Sequence, residues 1–590
     1  MNYRKELKIR ARQSLKRHYA LWVVLCLLML VLSGNHLFTY SVDLVESSVG
    51  SSKEQESTFV QVIRDIISGN RENGRVLAEK NIQEIRQSKE NEEAVLGRRE
   101  GVLSDIVNRI TSGAFLVSLT AGISSIIGSD SVALVLLIVC GLLVVFTIWF
   151  LVENIYKVIV IRMFLEGMEY ETVHIQRSLF FLKVKKWFRA CLTMLVVQIY
   201  ETLWWFTLIG GMIKHYSYYM VPYIVAENPD ISPNEAITLS RRMMNGRKWE
   251  CFAFHVTFIG WELLGVLTGS LVTLFFTNPY KMAATCEYYA MVRKKAKEAG
   301  IPGMELLNDD ALFERPEKEV LEKAYMDVME ETCVLQKVVS LTGIRGFLAK
   351  YMGTVTGWGK KELEYEEVQA VRMKYALEKE ELDGKIYPSR LCPLSLKESR
   401  GGFLGAHYLR CYSIWSLVML FFIMSFGGWV WEVSLHLITD GKFVNRGVLH
   451  GPWLPIYGTG SVLILMLLYR LRRNLALEFI MIVVVCGLVE YFTAYLLEMI
   501  HHGQKWWDYT GYFLNLHGRI CAEGLLVFGV GGMIIIYVLA PMLDRLLRKV
   551  PGRLLIIVGL VLILAFAADR VYSTGHPNTG KGITSTSFAK

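Results

Sequence analysis

Between Ser131 and Glu153 the chain reads "SVALVLLIVCGLLVVFTIWFLVE", with no charge before its last residue. That matches the roughly 20 apolar residues a helix needs to cross a bilayer. Backbone inside hydrocarbon must satisfy its own hydrogen bonds, so only helices and closed barrels can span. Barrel strands are short and alternate apolar with polar residues. The expected fold class is therefore all-α, a polytopic helical transmembrane protein.

Other runs extend the pattern. One lies at about 20–40, after the basic helical segment "RKELKIRARQSLKRHY". It resembles a signal peptide, but no small-residue cleavage site follows, so a retained anchor is expected. The stretches 187–226 and 249–292 are each about two spans long, with turns expected at Gly210–Gly211 and near Gly265. Five more runs fall at about 409–435, 455–468, 475–500, 520–540 and 554–568. The reading is about eleven spans in two membrane modules. The expected domains are 1–300, with a polar external helical insert at about 41–113, a cytoplasmic helical linker 301–405, and a second module 406–590.

The chain has 590 residues and a net charge of +9, which by itself would fit a nucleic-acid binder. Its Lys and Arg instead flank apolar runs, as in Lys157, Arg162, Arg177, Lys183, Lys185, Lys186 and Arg189, in "YRLRRN" and in "DRLLRKVPGR". Positive flanks mark cytoplasmic ends. No nucleic acid is expected, and membrane lipids are the partners. The expected place is the plasma membrane, with the N-terminus inside and the C-terminus outside. The ten Cys include no CxxC and fall mostly in apolar runs, against a disulfide framework or zinc ribbon. "GHPNTGKG", from Gly575, nearly spells a phosphate loop, but Gly582 stands where Ser or Thr should hold magnesium. No cofactor and no ATPase of its own are expected. "ISPNEA" reads as a helix start, with Ser232 as cap and Glu235 completing a capping box.

Between two spans of the second module lies "FVNRGVLHGPWLPIYGTG", residues 443–460. Pro and Gly forbid one long helix there, and irregular backbone at membrane depth needs protein or a water cavity around it. The alternation of basic loops places this stretch, and "HHGQKWWDYTGYFLNLHGR", on the outer face. Glu432 ends the span before it, and Glu490 and Glu498 lie on the ninth expected span. Acids inside apolar helices default to function. The candidate cluster is Glu432, Asn445, Arg446, His450, Tyr457, Glu490, Glu498, Trp507, Asp508, Tyr509, Asn515 and Arg519. Asn445, Arg446 and His450 are expected to meet Glu432 or Glu498, with Trp507 and Asp508 closing the outer side. Three readings stay open: ion pairs that pin helices, a substrate or catalytic site, or a metal site. No ligand spacing is diagnostic of a metal, so none is expected.

These motifs carry a resemblance. "GWVWE", "FVNRGVLHGPWLPIYGTG", "VEYFTAYLLE" and "WWDYTGYFLNLHGRIC" resemble the ABC-transporter type IV, or CmpB-like, family of bacterial membrane proteins. "GMIKHYSYYMVPYIVAENPDISPNEAITLSRRMMNGRKWE" and "TNPY" resemble a bacterial integral membrane protein family of unknown function. The first resemblance implies a permease-like transport component working with a separate ATPase subunit. The alternatives are a membrane-embedded enzyme acting on a lipid or envelope precursor at the outer leaflet, and a membrane scaffold.

Overall fold

A computed structural model describes residues 3–32, 76, 80, 120, 127, 129–330, 341–357, 359–394, 410–440, 443–472, 474–512, 514–580 and 583. The expected external insert and the apolar stretch 33–40 lie outside these residues, apart from Val76 and Lys80. The chain divides into two compact units. One comprises Met1–Gly50, Cys140–Gln336 and Val371–Leu404, the other Ser51–Val139, Lys337–Ala370 and Gly405–Lys590. The stretch expected to be a linker is thus shared between them.

In the first unit the basic N-terminal helix α1 (Tyr3–Leu32) buries Leu7, Ala11, Leu15 and Trp22. Its backbone leaves helical geometry at His18. The next helix, α2 (Asp130–Ile148), continues through a π turn, Trp149–Glu153, into α3 (Asn154–Glu169). Ser14 donates to the Gly167 carbonyl at 3.0 Å, and Trp22 stacks on Phe164 at 4.1 Å. Gly167 makes this approach possible, because a Cβ there would stand 2.3 Å from the Trp22 ring. Leu142, Val144 and Val145 are exposed. Such bare apolar surface suits a helix solvated by lipid.

The turn in the stretch 187–226 falls at Phe206–Leu208, where Leu208 adopts φ +45°, and not at Gly210–Gly211. It separates α4 (Trp187–Trp205) from α5 (Ile209–Tyr218), and α6 (Val221–Glu227) follows. At 1.5 Å per residue α5 is about 15 Å long, too short to cross alone. Helix α7 (Pro233–Met243) opens with the expected box: the Glu235 amide donates to Ser232 Oγ, and the Ser232 amide to the Glu235 carboxylate. After α8 (Lys248–Val256) and α9 (Ile259–Leu267), the chain turns at Thr268–Ser270, beyond Gly265, and returns through α10 (Asn278–Glu298). Pro222 and Pro279 sit in the first turns of α6 and α10. At Pro222 a missing N–H is harmless, whereas Pro279 follows directly on the π turn Thr273–Thr277, which continues into α10.

Lys157 and Arg162, expected in a cytoplasmic segment, both lie on α3, and Arg162 is fully buried. Counter-charges make that burial tolerable. Arg162 pairs with Glu166 at 3.0 Å and with Asp309 at 2.9 Å, and Tyr387 donates to Asp309 at 2.8 Å. Arg177 also binds Glu166, at 2.8 Å. Beside them Arg293 grips Glu227 at 2.7 Å and Asp310 at 2.8 Å, and Tyr289 donates to Glu227 at 2.9 Å. Asp309 and Asp310 come from the expected linker, so that segment is bolted to α3 and α10.

The second unit is built from α11 (Ile414–Asp440), α12 (Pro455–Leu467), α13 (Leu475–Ile500), α14 (Ala522–Ile534), α15 (Ala540–Leu547) and α16 (Gly552–Gly575). Thr354–Val355 and Tyr412–Ser413 form a two-residue parallel pair. Small residues set the helix spacing, as in membrane bundles. A Cβ on Gly428 would lie 2.4 Å from the Tyr457 ring, and one on Gly532 2.4 Å from Ile482. Asp544 pairs with Arg548 at 2.8 Å and with Arg410 at 3.3 Å.

Six helices among the described residues are long and apolar enough to cross a membrane: Val132–Glu169, Lys248–Leu267, Ile414–His436, Leu477–Ile500, Ala522–Leu547 and Gly552–Gly575. The chain is a multi-pass helical membrane protein. The expected count of eleven is not reached. The two long runs break into shorter helices, and α12 has only 13 residues.

Removing one member of a buried pair costs about 3–5 kcal/mol, mostly from the charge left behind. Glu227→Leu is expected to destabilise by that amount, and Glu227→Leu with Arg293→Met by clearly less, in denaturant unfolding of detergent-purified protein. Equal losses would mean that shape, not charge, holds this joint. Ser232→Ala should lower stability by about 0.5–2 kcal/mol.

Candidate functional site

The irregular stretch 443–454 connects α11 to α12. Much of its polar chemistry is satisfied by one acid on α16. Asp569 accepts the His450 amide at 3.2 Å, the Gly451 amide at 2.9 Å and the Trp453 indole at 2.7 Å. Asn578, just past α16, donates to the carbonyls of Asn445 at 2.9 Å and Gly447 at 3.0 Å. The connection is thus laced to the last helix. Asp569 is absent from the sequence-derived cluster. Its position inside the apolar run "LILAFAADR" was the available signal.

Three further acids centre the polar layer. Glu432 binds Arg446 at 3.0 Å and the Tyr457 hydroxyl at 3.1 Å. The close approach at Gly428 brings Tyr457 within reach. Glu498 binds Arg519 through Nη2 at 2.7 Å and Nε at 3.1 Å, and Arg519 Nη1 donates to Tyr491 at 3.1 Å. Among the described residues Glu490 accepts only from the Tyr509 hydroxyl, at 3.2 Å, and its second oxygen is buried without a partner. Tyr509 lies outside the spans. Burial first, and then the Glu490 charge, push its hydroxyl well above its ordinary range. It therefore stays a donor at neutral pH.

Asn445 and His450 do not meet Glu432 or Glu498 as expected. Asn445 accepts from the Trp429 indole at 2.7 Å and donates to the His450 carbonyl at 2.9 Å. His450 Nδ1 lies 3.1 Å from Ser573 Oγ, which donates to Asp569 at 3.1 Å. This is no catalytic triad. The serine proton is committed to the aspartate, and both partners approach the same ring nitrogen, whereas a triad needs them on opposite ones. Asp508 and Asn515 build turns. Asp508 accepts from the Thr510 amide at 3.0 Å and pairs with Lys505 at 3.1 Å, and the Gly518 amide donates to Asn515 at 3.3 Å. Burial works against ionisation of Asp508, but Thr510 and Lys505 outweigh it, leaving the carboxyl below its usual value.

Glu498, Lys505, Trp506, Trp507 and Arg519, with Ala494 and Leu497, line a small, partly open cleft of about 10 Å³. Small-molecule sites usually enclose about 300–1,000 Å³, so in this conformation the cleft has room for little more than one water molecule. The Trp507 indole donates to the Arg519 carbonyl at 3.1 Å. His502, Leu514 and His517 all hold positive φ in the loop that frames the cleft. Such strain gathers where the surroundings over-determine the backbone, as at ligand sites. No cluster of three or more metal-ligating side chains occurs among the described residues.

Residues 419–574 match the family described as "Putative ABC-transporter type IV". The match runs from within α11 almost to the end of α16, so it covers all four acids and the cleft. Residues 131–296 match a second family, described as a protein of unknown function, DUF975. No curated protein and no solved structure matches the chain.

Hydrogen bonds to a charged acceptor contribute about 1.5–3 kcal/mol each. Asp569→Ala should therefore speed hydrogen exchange at the His450 and Gly451 amides roughly tenfold or more, with helix α13 unaffected. Unchanged exchange there would show that the connection does not hang on α16.

Proposed function

We propose that the chain is a permease-like component of a transport system in the plasma membrane, and that its C-terminal module meets a small charged solute or head group in the outer cleft. The observation that carries this reading is the Glu498–Arg519 pair lining a cleft, both side chains partly exposed. Here one face stays open, and Trp506 and Trp507 stand beside it as apolar walls. Arg519 can exchange its internal carboxylate for an anionic group on the substrate, and its planar fork suits carboxylate or phosphate.

The family match over 419–574 supports the transport label. Since the chain carries no phosphate loop, the energy source in this reading is a separate ATPase subunit. The enzymatic alternative is less well supported, since the His450, Ser573 and Asp569 contact lacks the geometry of a nucleophile with its base.

Arg519→Lys and Glu498→Gln separate the readings. Both should fold with melting temperatures near the parent's, because an exposed pair contributes at most about 1 kcal/mol. Uptake into vesicles should fall at least about tenfold for each, equivalent to about 1.4 kcal/mol. Loss of stability in proportion to loss of uptake would reduce the cluster to a helix clamp.

A further inference from the structure

Glu490 is unlike every other acid of the polar layer. It sits on α13, inside the candidate span Leu477–Ile500, and is only 4% exposed. Glu432 and Glu498 each hold an arginine, and Asp569 holds two backbone amides. Glu490 has a single neutral donor, Tyr509, and one bare oxygen. The titratable groups facing it are Tyr509 and Cys521 from the loop and the start of α14, Tyr457 from α12, Glu432 from α11, and Cys486 on its own helix. None is a cation, and Arg446, the nearest guanidinium by connectivity, is spent on Glu432.

A carboxylate buried without counter-charge takes up a proton rather than bear the desolvation cost. A metal cation would need several converging oxygens, and no metal-ligating cluster occurs among the described residues. We propose that Glu490 is a proton-binding site of the C-terminal module, neutral at rest, whose proton release is coupled to the outer cleft. The coupling path is short. The Tyr509 hydroxyl binds Glu490, the Tyr509 amide donates to the Gly518 carbonyl at 2.7 Å, and the next residue is Arg519. On deprotonation the carboxylate draws the Tyr509 hydroxyl more strongly, and the Gly518–Arg519 backbone moves with it. The proton site stands on geometry alone, and only the coupling rests on the transport reading.

The test needs no transport. Infrared spectra of the purified full chain in lipid nanodiscs should contain a protonated-carboxyl band at neutral pH that disappears as the pH is raised. Glu490→Gln should remove this band, Tyr509→Phe should shift it, and Glu432→Gln should leave it. Because Gln mimics a neutral acid, Glu490→Gln should melt with the parent at neutral pH. A band that survives Glu490→Gln, or a variant that melts far below the parent, overturns the proton site. For the coupling, the part of the tryptophan fluorescence that Trp507→Phe removes should change with pH in the parent and stay constant in Glu490→Gln. A pH response that persists in Glu490→Gln overturns the coupling. Unchanged uptake in Glu498→Gln with the Glu490 band intact would overturn the cleft reading and leave the proton site standing.

Discussion

A charge in a packed or apolar interior is tolerated only with its counter-charge beside it. Both units are organised around this constraint. In the first, Arg162 and Arg293 are buried in a helical core, and each carries two acids from different parts of the chain. In the second, Asp544 is fully buried and holds Arg410 and Arg548, while Arg548 reaches Glu366 at 2.6 Å. These joints contribute less to net stability than equal apolar packing would. They do fix which segment lies where, since any other register strands a charge.

The polar layer of the second unit applies the same rule less tightly. Its pairs keep partial access to water, and its irregular backbone is tied to side chains rather than buried bare. Asp569 and Asn578 satisfy the connection 443–454 from one side. This leaves Glu432, Glu490 and Glu498 on neighbouring helices around a short loop with a strained backbone. Order and openness thus meet in one place, and the proposed binding site rests on that combination.

Apolar run length made the helical membrane class legible in the sequence. The Ser232 box was legible because all its parts lie within four residues. The meeting of Arg446 with Glu432 was expected, because an arginine at a membrane edge has few affordable neighbours. What was illegible depended on distant partners. Arg162 looked like a cytoplasmic flank because Asp309 lies far along the chain, and Arg472, read as part of a basic loop, is 1% exposed. Where each long run turns was hidden for a related reason. Hydropathy records how much apolar chain there is, but the break at Leu208 depends on a backbone turn that no glycine marks.

Four cations of the first unit, Arg162, Arg177, Arg293 and Lys297, meet four acids, Glu166, Glu227, Asp309 and Asp310. The family match ends at residue 296, and both aspartates lie beyond it. A fragment cut at that border would keep three of the arginines but only the two glutamates, with one excess positive charge in its interior. The unit that folds is therefore longer than the stretch the family match covers. A gene joining this module to a new partner would have to bring the two acids along or evolve replacements, so part of what reads as linker behaves as the module's own counterion.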